Sequence, residues 1–178
     1  MYRISKLIQL DKKIYHTNDL AILWGITRRN TLYQTITRYI DKGVLFLVYK
    51  GLYSDVPVAS LNPMELGRAI IHRFAYLTTE SVLEQSGIIS QRIYNYTFAT
   101  DQSKHVSVGQ WNFRYRKLKV EYLHNPTGIS KQDDGFVATV ERAVADILYF
   151  DPRYHFDVRE AINFDKVREI QKEIGYPC

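Results

Sequence analysis

The 178-residue chain is 46% hydrophobic and 24% charged, ordinary for a folded soluble protein, and its single cysteine, Cys178, allows no internal disulfide. No apolar run approaches the roughly 18 residues that a membrane span needs. The opening MYRISKLIQL lacks the apolar core and cleavage site of a signal peptide, so a cytoplasmic protein with no membrane partner is expected. The net charge of +5 is placed unevenly: residues 1–58 hold nine Lys/Arg against four Asp/Glu, and residues 59–178 hold fifteen of each. Such asymmetry points to a phosphate-bearing partner for the first third.

Ile4, Leu7 and Ile8 fall at helical spacing and predict a first helix over 1–9, followed by a polar break at Asp11, Lys12 and Lys13. Thr17 is the expected N-cap of the next helix, with Asp19 in its first turn, Leu20, Ala21, Leu23 and Trp24 inward, and Gly25 at its end. Ile26 bridges a tight turn. Thr27 is the expected cap of a longer helix that Gly43 closes. Residues 44–49 are too β-branched and aromatic to extend it and read as a strand. Lys50-Gly51 supplies a two-residue turn, and Leu52 and Tyr53 start the return strand. Helix, turn, longer helix and hairpin in this order make a winged helix-turn-helix, a module that sets its second helix in the DNA major groove.

On a wheel of about 100° per residue, Leu32, Ile36, Tyr39 and Ile40 form the buried stripe of that second helix. The opposite side carries Asn30, Thr31, Gln34, Thr37, Arg38 and Asp41. Asn and Gln pair bidentately with adenine, Arg pairs with guanine, and Thr touches a thymine methyl, so this face suits base-edge readout. Arg28 and Arg29, in the first turn, suit phosphates near the helix N-terminus, and Lys50 at the hairpin tip suits backbone or minor groove. Taken alone, such a helix reads equally well as a solvated surface helix; the elements on either side of it favour DNA.

Val56-Pro57-Val58 marks the domain boundary, dividing 1–58 from 59–178. Asn62-Pro63 opens a helix with Leu66, Ala69 and Ile70 buried. Tyr76-Leu77 reads as a short strand, and Thr79 begins a helix with Val82 and Leu83 inward, ended by Gly87. From 93 to 124 the period becomes two: Tyr94, Tyr96, Phe98, then Trp111, Phe113, Tyr115, then Val120 and Tyr122. That pattern predicts an antiparallel sheet with one aromatic face. Rings interleaved with Arg114, Arg116 and Lys117 also suit single-stranded nucleic acid, but no RNP-like run is present. Residues 125–128 read as a loop and Asp133-Asp134-Gly135 as a turn. Val140, Val144, Ile147 and Leu148 give a helical stripe. Arg142 and Asp146 on that helix are expected to pair weakly at the surface. Glu141 at the stripe's edge is expected to meet an arginine or tyrosine from the sheet, its loss costing roughly 1–3 kcal/mol if the carboxylate is buried and bonded. Asp165 is the expected cap of a last helix ending at Gly175.

His16, His72, His105, His124 and His155 show no metal spacing, and there is no phosphate loop, GxGxxG or Gly-x-Ser-x-Gly. No catalytic residue, metal ligand or cofactor is assigned, and Asp133-Asp134 reads as a solvated turn.

Three segments in order resemble the antitoxin and repressor component of abortive-infection type IV toxin–antitoxin systems, the AbiEi-like family. They are the first module with DLAILWGI, TLYQTITRYIDKGVL and KGLYS; then AYLTTESVLEQSGII; then ATVERAVADILYF. The resemblance implies a regulator that binds repeated operator DNA before its own operon; since one winged module contacts few base pairs, two copies on repeated half-sites are expected. It also implies a C-terminal domain that counters a nucleotidyltransferase-like toxin encoded alongside, and no enzymatic activity, although phosphotransfer has been considered for relatives. Carried to this chain, the DNA role falls on Arg28, Arg29, Asn30, Gln34, Arg38 and Lys50; no residue after 60 receives a role. The expected fold is α+β, a winged helix-turn-helix over 1–58 followed by an α+β antitoxin or regulatory domain over 59–178. Alternatives are a ligand-responsive regulator with an aromatic pocket, and a nucleic-acid-processing enzyme guided by the winged module.

Overall fold

The computed structural model describes residues 5–7, 10, 12–90 and 95–177. Ile4, Ile8, Asp11, Tyr94 and Cys178 lie outside them; of the helix expected over 1–9, residues 5–7 are helical and Leu7 is buried. The fold is α+β. Two compact units form, Met1–Ile70 with Val108–Gln110 and Ile71–Ser107 with Trp111–Cys178. Residues 59–70 thereby group with the first unit, whereas the sequence places a boundary at 58/59. Among the described residues no helix is long and apolar enough to cross a membrane.

The first unit runs β1 (Ile14–His16), α1 (Thr17–Trp24), α2 (Arg29–Asp41), β2 (Phe46–Tyr49), β3 (Leu52–Ser54) and α3 (Pro63–Ile71). β3 is the centre of a three-stranded antiparallel sheet in the order β1-β3-β2. β1 was not foreseen. It is three residues long and exists by pairing with β3, Ile14 opposite Ser54 and His16 opposite Leu52, a partnership that local sequence does not record. Gly51 supplies the left-handed φ of 73° that the β2–β3 turn requires. Asn62 caps α3 as expected, its Oδ1 accepting from the Met64 N–H at 2.8 Å.

The second unit is built on a six-stranded sheet in the order β6-β7-β5-β4-β9-β8. In chain order its elements are β4 (Tyr76–Leu77), α4 (Glu80–Gln85), β5 (Asn95–Thr100), β6 (Lys104–Val108), β7 (Trp111–Lys117), α5 (Val120–Leu123), β8 (Ile129–Gln132), β9 (Gly135–Ala138), α6 (Val140–Phe150) and α7 (Phe164–Ile174). The sheet is mixed, not antiparallel: β5 runs parallel to β7 and β4 parallel to β9. Alternation fixes which side chains share a face, and here it succeeded. Phe98 lies opposite Tyr115 and Tyr96 opposite Phe113, with the Phe98 and Tyr115 rings stacked at 5.8 Å. Alternation carries no strand direction, and it misled at Val120 and Tyr122, which belong to the helical turn α5.

Thr79 precedes α4 as expected but does not cap it by its side chain; it takes φ 56°, and its buried hydroxyl has no partner among the described residues. Asn163, not Asp165, caps α7, accepting from the Lys166 N–H at 3.1 Å, while Asp165 pairs with Arg168. Glu141 meets Lys166 of α7 at 3.7 Å rather than an arginine or tyrosine of the sheet.

The largest correction concerns Arg142 and Asp146. Both are fully buried, with Arg142 Nε 2.9 Å from Asp146 Oδ1. Nη1 donates to the carbonyls of Asn125 and Thr127 at 3.2 and 2.9 Å; Nη2 donates to Tyr76 Oη and the Tyr122 carbonyl at 2.8 and 2.9 Å. All five guanidinium N–H groups are thus used. Asp146 Oδ1 also accepts from Tyr176 Oη at 2.5 Å, and Oδ2 accepts from Tyr76 Oη and Thr78 Oγ1 at 2.9 and 2.7 Å. Burial works against the charge of Arg142, but Asp146 outweighs it and holds the guanidinium above its ordinary pKa. Burial and the same carboxylate push the Tyr76 and Tyr176 hydroxyls well up. Gly128, at φ 71°, lets the loop close over this pair: a Cβ there would lie 2.7 Å from Arg142 Cβ.

Removing one partner strands the other charge in the interior. Asp146→Ala is expected to cost about 3–5 kcal/mol in urea unfolding; a loss under about 1 kcal/mol would contradict the burial of the pair. Glu141→Ala, its partner lying at a half-exposed Lys166, is expected to cost less than about 1 kcal/mol, and a loss near 3 kcal/mol would point to a further partner.

Candidate nucleic-acid interface

The first unit fixes α2 by apolar packing. Leu32, Ile36 and Tyr39 sink into a core with Leu7, Tyr15, Leu20, Trp24, Ile26, Leu45 and Tyr53. The Trp24 and Tyr39 rings meet edge to face at 5.2 Å, locking α1 against α2. Thr35 completes the buried stripe, its hydroxyl donating to the Thr31 carbonyl at 2.7 Å. Between the helices Gly25 takes φ 64°, as the turn demands, and Ile26 N–H returns to the Ala21 carbonyl at 3.0 Å.

The capping differs from expectation at both helices. α1 starts at Thr17, and Asp19 accepts from the His16 backbone N–H at 3.0 Å while pairing with Lys12 at 2.7 Å. Thr17 is instead a tether, its N–H and hydroxyl both donating to the Gly51 carbonyl, at 3.0 and 3.2 Å. The hairpin tip is thereby fastened to the start of α1. Thr27 does not cap α2, whose N-cap is Arg28 with no side-chain bond. That end of α2 is left with backbone donors free for an anion.

With the stripe buried, Asn30, Thr31, Gln34, Thr37, Arg38 and Asp41 all face outward and are exposed, as are Arg28, Arg29 and Lys50. Among the described residues Arg28, Arg29, Asn30, Gln34, Thr37 and Lys50 have no side-chain hydrogen bond or ion pair. The Arg38 guanidinium lies 5.6 Å from the Tyr39 ring centroid. The structure therefore gathers seven of the eight sequence-derived positions at α2 and its N-cap and puts Lys50 at the β2–β3 turn. Tyr33, 42% exposed on the same helix, was missed: on the wheel it lies about 20° from Ile40, which the sequence assigned to the buried stripe. By composition the first unit holds ten Lys/Arg against five Asp/Glu, so the whole net +5 lies in it. No group of three or more metal-ligating side chains converges among the described residues.

No protein-family model matches the chain, and a search of curated proteins gives no significant match.

The Asp19 carboxyl is opposed by partial burial but held below its ordinary pKa by Lys12 and the His16 N–H. Its folded value lies under the unfolded one, so its contribution is complete above about pH 3.9 and is lost as the pH falls through the folded value. Urea midpoints are expected to fall on that acid limb in wild type and to fall less in Asp19→Asn. Superimposable limbs would show that Asp19 is not coupled to folding.

Proposed function

We propose that residues 14–54 form a winged helix-turn-helix and that the chain is a DNA-binding autorepressor and antitoxin. On this reading it binds repeated operator sites before its own operon and counters a nucleotidyltransferase-like toxin encoded there, with no catalytic step of its own. One observation supports the DNA half most directly. The outward face of α2 carries amide, hydroxyl and guanidinium groups with no side-chain hydrogen bond or ion pair among the described residues, on a helix whose rotation is fixed by its buried side. Lys50, on a hairpin tip tied to α1 through Thr17, is the wing contact.

The antitoxin half rests on the family resemblance. Its two later segments meet in one network: Tyr76 and Thr78 come from AYLTTESVLEQSGII, Arg142 and Asp146 from ATVERAVADILYF. The likeness thus falls on positions that set the framework of the second unit. Phe98, Phe113 and Tyr115 are closed into the core, which favours this reading over an aromatic ligand pocket on that sheet face.

One module touches few base pairs, so useful affinity needs two copies on a repeated site. With about five phosphate contacts per copy, log affinity for the upstream DNA is expected to fall against log salt with a slope near −4 per copy. Gln34→Ala with Arg38→Ala is expected to abolish this binding in gel shifts while leaving protection from the toxin largely intact. A flat salt response, or full operator binding by the double variant, would defeat the DNA half. A neighbouring gene of unrelated chemistry, with no toxicity to counter, would defeat the antitoxin half.

A further inference from the structure

We propose that Tyr33 is a further DNA-contacting residue, and that α2 enters the groove N-terminal end first, Tyr33 on one phosphate rail, Arg38 and Thr31 on the other. This rests on the winged-helix reading above and reassigns Arg38 from base to backbone.

The geometry follows from the helix period. The buried stripe Leu32, Thr35, Ile36 and Tyr39 faces away from a line through Asn30, Gln34, Thr37 and Asp41. At about 100° per residue, Tyr33 lies roughly 70° to one side of that line, and Arg38 and Thr31 roughly 70–90° to the other. A helix with side chains is about 10–12 Å across and the major groove about 12 Å wide, so the central line meets the base edges and the flanks meet the walls. Those walls are phosphate. Tyr33 is exposed and makes no hydrogen bond among the described residues, which leaves its hydroxyl to donate to a phosphate oxygen. On the opposite flank, the Arg38 guanidinium lies 5.6 Å from the ring centroid of Tyr39, a member of the buried stripe, and so off the central line.

Asp41 sets the tilt. It is exposed on the same central line as Asn30 and Gln34, but it is the last residue of the helix. By helical rise it sits about 16 Å beyond Asn30 along the axis. A carboxylate on the groove floor would face like charge on both strands. The C-terminal end of α2 therefore lifts out, leaving Asn30, Gln34 and Thr37 over the bases.

The test uses the full chain with two duplexes, the DNA upstream of its own coding sequence and a scrambled duplex of equal composition, in fluorescence anisotropy across a salt series. Tyr33→Phe is expected to weaken both about tenfold, as loss of one hydrogen bond to a charged acceptor does, with the salt slope unchanged. Arg38→Gln weakens both and lowers the slope by about 0.9 per copy. Gln34→Ala weakens the upstream duplex alone, and Asp41→Asn changes affinity less than twofold. Wild-type binding by Tyr33→Phe, an effect of Tyr33→Phe or Arg38→Gln confined to the upstream duplex, or a more than tenfold gain in Asp41→Asn overturns the inference while the winged-helix reading stands. A wild-type chain that binds neither duplex overturns both.

Discussion

An ion pair shut away from water survives only when every donor and acceptor in it is answered, and Arg142 with Asp146 meets that demand. Five N–H groups reach five acceptors, and the carboxylate takes four donors. The partners come from β4 and the residue after it, α5 and the loop that follows it, α6, and the tail after α7. A hydrophobic plug of the same volume would fill the space without dictating which carbonyls surround it. The pair dictates that, and so sets where the loop, the strand and the tail lie on α6. Ring contacts support it from outside: Tyr149 stacks on Tyr176 at 4.7 Å, and Tyr122 meets Tyr176 edge to face at 5.0 Å.

The first unit solves the opposite problem. Its core cluster is apolar, and Arg28, Arg29, Asn30, Gln34, Thr37 and Lys50 stand at the surface without a side-chain hydrogen bond or ion pair among the described residues. Desolvation is what makes an ion pair costly, so free cations on an exposed helix remain available to phosphate at little cost. The two units also differ in charge. One holds the entire excess of +5, and the other balances acid against base. That division matches a chain in which polyanion attraction belongs to one unit and internal pairing to the other.

What local sequence could reveal follows from how far apart the partners are. Gly25, the Lys50-Gly51 turn and the stripe through Leu32, Ile36 and Tyr39 speak within a few residues of themselves, and the corresponding elements were legible. β1 depends on β3, forty residues on by the Ile14–Ser54 pairing, and was not. An i,i+4 Arg–Asp pair looks the same at a surface or in a core. Distant partners mark it as interior, Tyr76 seventy residues away from Asp146 and Tyr176 thirty away among them. Glu141 failed for the related reason that its partner, Lys166, lies on a later helix. The caps failed differently. Thr17 had a better use as a tether to Gly51, and Asp19 could serve the same helix end from inside the first turn.

The candidate interface was more legible than the fold around it, and this has a physical cause. On a helix packed by one side, the outward face is the complement of the buried stripe, so a single period fixes both. Core residues identify themselves by being apolar, and the exposed face is then whatever remains. Tyr33 escaped because it is an aromatic ring at the edge of the stripe, about 20° on the wheel from Ile40, where period alone does not separate packed from exposed side chains. The second unit has no such complement. Its helices pack on a sheet whose strand order depends on distant partners, so a surface that meets another molecule there leaves no periodic trace. Recognition by a helix can therefore be read from one stretch of chain, whereas recognition by an α+β surface requires the topology first.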